Sequence, residues 1–185
     1  MDLEKYQQYS RIARGLEKAD LVLKDARIVN VFTEEIIRGD IAIQNGIIAG
    51  IGSFHGKEER DLAGKYVCPG FIDSHLHLES TLVTPAELVT VASRHGTTTF
   101  IVDPHESANV SGLAGIDYIL DQTEDVKANV YVMMPSCVPA TSIDDNGCTL
   151  SAEDMAPYLH NSRILGLGEV MDSISVVQGD KTMHD

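Results

Sequence analysis

Residues 69–79 read PGFIDSHLHLE and contain the pattern that decides the fold class. An apolar lead-in precedes His75 and His77, which are separated by Leu76. On a β-strand, residues two apart point to the same side, so the two imidazoles should face one way and Leu76 the packed side. Imidazole is the commonest protein ligand for divalent transition metals. The pattern predicts a metal-binding strand end, and two incidental polar residues are the alternative.

Four strand-like runs follow from this point, separated by segments with helical character. The strands are predicted at Phe71 to His77, Thr97 to Val102, Val130 to Met134 and Ile164 to Leu167, and the helices at Pro85 to Arg94, Leu113 to Gln122 and Ala152 to Leu159. Near-continuous apolar strands between helices indicate a parallel sheet covered by helices. A (β/α)8 barrel takes about 250 residues, so residues 69–185 are predicted to form its first half, about four βα units. The fold class is α/β.

The region before Pro69 has a different hydrophobic period. Residues 1–18 are predicted to contain a peripheral helix over residues 3 to 18, and residues 19–68 an incomplete small β domain of the sandwich type. Its strands are predicted at Leu21 to Leu23, Arg27 to Val31, Asp40 to Gln44 and Ile47 to Ile51. Asn45-Gly46 favours a tight hairpin turn, because both residues can adopt a positive φ.

Two further groups of polar residues follow predicted strands. Glu169 comes after the fourth strand, where an uncompensated carboxylate would be costly to bury, so we expect it to bind metal; an acid at a helix N-terminus or in a salt bridge is the alternative. Asp103, His105 and Glu106 come after the second strand. They fit partners that orient a ligand histidine or contact substrate, and they fit an ordinary turn equally well.

The composition excludes several classes of function. The net charge of −14 and the pI near 4.7 would repel nucleic acid and anionic membrane surfaces. The three cysteines form no C-x-x-C pair, so neither a disulfide framework nor a structural zinc site is predicted. The polar N-terminus has no apolar signal segment. A cytoplasmic location is therefore expected.

Longer strings carry a family resemblance. PGFIDSHLHLES after a small β domain resembles the amidohydrolase superfamily, and HGTTTFIVDPHESANVSG, MMPSCVPAT and ILGLGEVMD resemble its adenine deaminase branch. The resemblance implies hydrolytic deamination of adenine to hypoxanthine and ammonia by a metal-activated hydroxide. It implies a binuclear site, with Mn²⁺ preferred over Fe²⁺ or Zn²⁺. His75 and His77 match its first-strand ligands and Glu169 the bridging, catalytic carboxylate, whereas Asp103, His105 and Glu106 match a signature without an assigned role.

The resemblance also implies residues that this sequence does not contain. Later histidine ligands and a last-strand aspartate base would lie beyond Asp185, so the isolated chain is expected to be inactive. We expect a gene fragment, a truncated chain or half of an assembly, whose partner is the remainder of the barrel or a second copy. Two alternatives stay open. One is an amidohydrolase acting on a cyclic amide, against which Glu169 argues because many such relatives carry a carboxylated lysine there. The other is a non-catalytic metal-binding or assembly fragment.

Overall fold

The computed structural model describes residues 2–184, which divide into two compact units that meet between Pro69 and Gly70. The predicted range 1–18 begins at Met1 and the predicted range 69–185 ends at Asp185. Both of these terminal residues lie outside the described residues. No helix in residues 2–184 combines the length and apolar character needed to cross a membrane.

The first unit is one mixed β-sheet preceded by a helix. Helix α1 covers Leu3–Ala13, and the strands are β1 Ala19–Asn30, β2 Glu35–Gln44, β3 Ile47–Gly52, β4 Gly56–Asp61 and β5 Tyr66–Val67. The sheet order is β3-β2-β1-β4, with β5 also paired to β1. Strand β2 is antiparallel to β1 and β3, whereas β4 and β5 are parallel to β1. The predicted sandwich is not confirmed, because the five strands described in this unit belong to a single sheet.

Two predictions for this unit can be compared with its backbone. The hairpin is confirmed, since Gln44 pairs with Ile47 across Asn45 and Gly46, whose φ angles are 50° and 74°. The two strands predicted within residues 21–31 are instead the single strand β1. An irregularity between Leu23 and Ala26, where Asp25 has a φ of 53°, interrupts the alternation that separated them in the sequence.

A half-buried ion pair stabilises this irregularity. Lys24 Nζ donates to Asp40 Oδ2 at 2.5 Å and to the Phe54 carbonyl at 2.8 Å. The backbone N–H groups of Asp25 and Phe54 also donate to the Asp40 carboxylate, at 3.1 and 3.2 Å. Burial favours the neutral acid, but these donors outweigh it and hold the pKa of Asp40 below its ordinary value.

We expect the substitution Asp40→Asn to destabilise the chain by about 1–3 kcal/mol at pH 7, because it leaves buried donors poorly satisfied. A carboxylate whose pKa is lowered on folding stabilises above its unfolded pKa of about 3.9 and loses that effect as pH falls through the folded pKa. Urea unfolding at pH 7 and pH 3 should therefore show a difference between wild type and variant that shrinks in acid. Glu58→Gln, in an exposed pair with Arg60, is the control and should cause no measurable change. A wild-type advantage that is unchanged at pH 3 would contradict the role of the ionised carboxylate.

The second unit is a four-stranded parallel sheet with helices between the strands. The strands are β6 Phe71–Leu76, β7 Thr97–Val102, β8 Asn129–Met134 and β9 Ile164–Leu167, in the order β6-β7-β8-β9. The helices are α2 Pro85–Ser93, α3 His105–Ser111, α4 Leu113–Gln122, α5 Ala152–Met155, α6 Ser173–Gln178 and α7 Lys181–His184, with 3₁₀ turns at Leu78–Thr81 and Ala156–His160. The predicted α/β class and parallel order are confirmed.

The core of this unit lies between the sheet and its helices. Alternate residues of β7 and β8, namely Phe100, Val102, Val130 and Val132, are buried there in one cluster with Ile116 of α4. Arg163, just before β9, donates to the carbonyls of Val130 and Leu120 at 3.1 and 2.8 Å and also to Thr123 Oγ1. These bonds connect the start of β9 to β8 and to the end of α4.

Some predicted boundaries differ from the structure. Helix α1 ends at Ala13, before Gly15, which has a positive φ of 71°. The helix predicted over Ala152 to Leu159 is a short α-helix continued by a 3₁₀ turn that contains Pro157. Three short helices, α3, α6 and α7, were not predicted. An ordinary turn is one of the two alternatives for residues 103–106, and the structure instead begins α3 at His105.

Candidate active site

The candidate site lies where the carboxyl ends of the parallel strands meet. His75 is within β6 and His77 directly follows it, Asp103 follows β7, and Glu169 comes two residues after β9. Because the strands are parallel, these ends lie at one edge of the sheet, where the functional residues of such folds are found. Leu76 is turned to the opposite side and packs against the core, as the alternation predicts.

Three imidazoles converge on one carboxylate oxygen. Glu169 Oε1 lies 3.6 Å from His75 Nε2, 3.4 Å from His77 Nε2 and 3.3 Å from His105 Nε2. The ligand atoms that His75, His77 and Glu169 offer all lie within 4.8 Å of one another. The rings of His77 and His105 meet edge to face, with centroids 4.7 Å apart. The structure thus brings together residues from three different strand ends.

The tautomer of His77 follows from its hydrogen bond. Its Nδ1 lies 2.8 Å from the backbone carbonyl oxygen of Asp103, which can only accept. Nδ1 therefore carries a proton, and in the neutral ring the lone pair is on Nε2. That lone pair faces His75 Nε2 at 3.1 Å and the oxygen of Glu169 at 3.4 Å. Imidazole nitrogens and a carboxylate oxygen this close together form a donor set that one metal ion can contact.

Asp103 connects the backbone around the site. Its side chain is 1% exposed, and Oδ2 accepts the backbone N–H of Glu169 at 2.9 Å. Burial raises the pKa of Asp103, although the Glu169 N–H and the nearby rings of His105 and His77 oppose the shift. Its other oxygen, Oδ1, is buried with no hydrogen-bond partner in residues 2–184. The side chain therefore acts on the site through the backbone of Glu169.

Ser136 completes the support of Glu169. Its hydroxyl, after β8, donates to the Glu169 carbonyl oxygen at 2.6 Å. Both polar groups of the Glu169 backbone are thus bound by side chains that follow β7 and β8. This role could not be predicted from the sequence, since Ser136 is one of several small polar residues in an irregular loop.

The three residues of the Asp103, His105 and Glu106 group have separate positions. Asp103 supports Glu169 and His77 through backbone groups, and His105 faces the Glu169 carboxylate. Glu106 is turned toward the turn after β6, where it accepts a hydrogen bond from Ser80. Glu79, for which the sequence predicted no role, accepts hydrogen bonds from backbone N–H groups of α3. Its role depends on how α3 packs, which sequence spacing does not encode.

Comparison with known proteins places this site within a family. The sequence profile of the amidohydrolase family matches residues 66–183, which include all of β6 to β9 and every residue of the site. The chain belongs to the amidohydrolase family. Amidohydrolases are metal-dependent, which is consistent with the grouping of imidazoles and a carboxylate at the strand ends.

Several curated amidohydrolase relatives match almost the whole chain. It is 59% identical over 169 residues to an adenine deaminase of Desulfitobacterium hafniense (strain Y51), covering 91% of this chain and 30% of the relative. It is 50% identical over 168 residues to one of Geobacillus kaustophilus, covering 91% and 29%, and 44% identical over 183 residues to one of Bacillus pumilus, covering 99% and 32%. The chain spans about 30% of the length of these relatives.

A solved structure of N-acyl-D-glutamate deacylase from Bordetella bronchiseptica, complexed with zinc and a phosphonate inhibitor, also matches. The TM-score is 0.46 and the sequence identity 22%, over 64% of this chain and 29% of that chain.

We expect Gly168→Ala to disturb the site of this amidohydrolase. A Cβ at Gly168 would lie 2.1 Å from Asp103 Oδ2, which is buried and bonded to Glu169 and so cannot easily move away. Overpacking of this kind costs about 1–3 kcal/mol, measured as the free energy of unfolding in urea. Gly166→Ala is the matched control in β9, because its Cβ would meet only Met133 Cε at an ordinary 3.7 Å. Equal stability of the two variants would show that the close packing of Asp103 on Gly168 is absent.

Proposed function

We propose that this chain is the amino-terminal part of an adenine deaminase that holds divalent metal between His75, His77 and Glu169. The single observation that carries the proposal is the convergence of these ligand atoms within 4.8 Å at the strand ends. The choice of adenine is supported by the identity of 44–59% to proteins named adenine deaminase. Hydrolysis removes the exocyclic amino group: water supplies the oxygen, the C6–N6 bond breaks, and hypoxanthine and ammonia form.

The donor set fits a divalent cation. His77 is held in the tautomer whose Nε2 lone pair faces the Glu169 oxygen, and His75 Nε2 lies beside it. Imidazole nitrogen with carboxylate oxygen suits Mn²⁺, Fe²⁺ and Zn²⁺. We propose a binuclear site with Mn²⁺, as the resemblance to adenine deaminases implies, and His75, His77 and Glu169 would supply part of its ligands. When bound, such ions supply Lewis-acid activation of water.

The other residues orient these groups and contact substrate. Asp103 fixes the His77 ring through its carbonyl and the Glu169 backbone through its carboxyl group. His105 and Glu106 line a surface pocket of about 410 Å³ that also includes Asn109, Ala140 and Asp144. Since His105 borders both this pocket and the Glu169 carboxylate, it is the residue we assign to substrate contact beside the metal.

The domain organisation proposed with this function follows from the sequence. Residues 19–68 are part of a small β domain preceded by the helix of residues 1–18, and residues 69–185 are the first half of a barrel. The proposed partners are adenine and either the remainder of the barrel or a second subunit, and the proposed location is the cytoplasm. The single sheet of the first unit and the four parallel strands of the second support this division.

The proposed site predicts that the 185-residue chain binds metal. Equilibrium dialysis with Mn²⁺ should show stoichiometric binding, which His75→Ala and His77→Ala each weaken by more than about 100-fold, since even indirect partners of metal ligands contribute 10–100-fold. His160→Ala is the control, because His160 is an exposed histidine outside the cluster. Equal binding by all of these variants would remove the proposed site.

The proposed function also predicts catalytic activity once the rest of the barrel is supplied. In a chimaera, residues 1–185 replace the matching segment of the Desulfitobacterium hafniense adenine deaminase. Reconstituted with Mn²⁺, it should release ammonia and hypoxanthine from adenine, and His77→Ala should lower kcat/KM by more than about 100-fold because a metal ligand is lost.

The chimaera also separates the alternatives. Hydrolysis of a dihydropyrimidine or hydantoin without turnover of adenine would replace the proposed substrate by a cyclic amide. Tight Mn²⁺ binding with no turnover of either substrate would favour a non-catalytic metal-binding role. The same His160→Ala control should leave kcat/KM unchanged.

A further inference from the structure

We propose that Glu79 is a positioning residue, which holds the first turn of α3 so that His105 stays in contact with His77 and Glu169. This inference rests on the proposed function, because it gives that site an additional required residue. Among the hydrogen bonds and ion pairs of residues 2–184, none joins the Glu79 side chain to His77, His105 or Glu169. It acts on them through the backbone of the helix that begins at His105.

Glu79 is placed by a firmly packed turn. It belongs to the 3₁₀ turn Leu78–Thr81, which directly follows His77. Leu78 is fully buried in the core of the second unit. Thr81 Oγ1 donates to the Leu78 carbonyl at 2.7 Å, and the Ser80 N–H donates to the His77 carbonyl at 3.3 Å. The base of the Glu79 side chain is therefore fixed relative to the metal-binding histidines.

The carboxylate of Glu79 caps α3 from outside the helix. The first N–H groups of any helix have no partner within it, and the N-cap residue of α3 is Pro104, whose side chain makes no capping bond. Glu79 Oε1 instead accepts the N–H groups of Glu106 and Ser107, at 3.2 and 3.4 Å. A negative group near a helix N-terminus is favourable. The cap that the local sequence lacks is thus supplied by the turn after β6.

Two further observations point to the same connection. Ser80, next to Glu79, donates to the Glu106 carboxylate, so the turn holds the helix at a second point. Glu79 Oε2 is buried with no hydrogen-bond partner in residues 2–184. Burying a carboxylate oxygen without a partner is unfavourable. The half-buried position of this side chain therefore depends on what Oε1 binds, namely the start of α3.

The position of His105 follows from this cap. His105 is the first residue of α3, and its Nε2 lies 3.3 Å from Glu169 Oε1. Its ring is perpendicular to that of His77, with a centroid distance of 4.7 Å. Among the described residues, the hydrogen bonds from the turn after β6 to α3 are those of Glu79 and the one from Ser80. Without the two Glu79 bonds, only the Ser80 bond would keep the start of α3, and with it the His105 ring, next to that turn.

The experiment compares two substitutions of similar size in the 185-residue chain. Glu79→Gln keeps a carbonyl oxygen that can accept both N–H groups, whereas Glu79→Met removes the acceptor and keeps an apolar chain suited to burial. The readout is the NOE between ring protons of His77 and His105 in a chain with ¹³C-labelled histidine. Glu87→Met, an exposed acid in the first turn of α2, is the matched control.

We expect the NOE in wild type, Glu79→Gln and Glu87→Met, and its loss in Glu79→Met with the other histidine signals unchanged. An NOE that persists in folded Glu79→Met would overturn the proposal, and so would its loss in the Glu87→Met control. If Glu79→Met does not fold, loss of the NOE in Glu79→Gln alone would also overturn it, because that variant retains the cap. The NOE is recorded without metal or adenine, so failure of the proposed function leaves this result unaffected.

Discussion

The buried side chain and backbone of Asp103 join the ends of three strands, and the geometry of the site depends on them. Its N–H donates to the Leu76 carbonyl at 3.1 Å, its carbonyl accepts from His77, and its carboxyl group accepts the N–H of Glu169. Strands β6, β7 and β9 therefore end in fixed positions relative to one another. Because a buried carboxyl group is costly without partners, these bonds specify a single arrangement rather than a loose one.

Hydrogen bonds from the backbone and from a small side chain also join the end of strand β8 to the segment that follows β9. The Gly168 N–H donates to the Met134 carbonyl at 2.6 Å, and Ser136 binds the Glu169 carbonyl. Only glycine at position 168 leaves room for the Asp103 carboxyl group. The result is a rigid backbone beneath side chains that remain partly exposed: His75 is 51% and Glu169 41% accessible. This framework fixes the positions of the side chains in the proposed metal site and leaves them accessible from solvent.

Much of the second unit could be predicted from sequence, because buried parallel strands appear as continuous apolar runs. The limits of β7 and β9 coincide with the predicted Thr97 to Val102 and Ile164 to Leu167. The alternation around Leu76 also predicted that His75 and His77 face together. Helix α3 was missed because it has little apolar periodicity and its cap, Glu79, comes from a distant part of the chain. The nearness of His105 to Glu169 depends on that packing, so spacing alone could not reveal it.

In the first unit, the sequence predicted a local turn but not the pairing of the strands. Its hairpin was predictable from Asn45-Gly46, since the turn requires positive φ angles that these residues adopt readily. The arrangement of its strands in one sheet rather than two was not predictable, because the sequence of a strand does not specify which other strand it pairs with. The short strand β5 pairs in parallel with β1, across a long sequence separation, and so extends the same sheet.

The most direct measurement of the central claim is pulsed electron paramagnetic resonance of Mn²⁺ bound to the 185-residue chain. Coordination by His75 and His77 predicts electron spin-echo modulation from two imidazole nitrogens, which the double substitution of both residues by alanine abolishes. Mn²⁺ bound without nitrogen modulation, or with modulation that persists in the double variant, would contradict the placement of a cation between these imidazoles and Glu169.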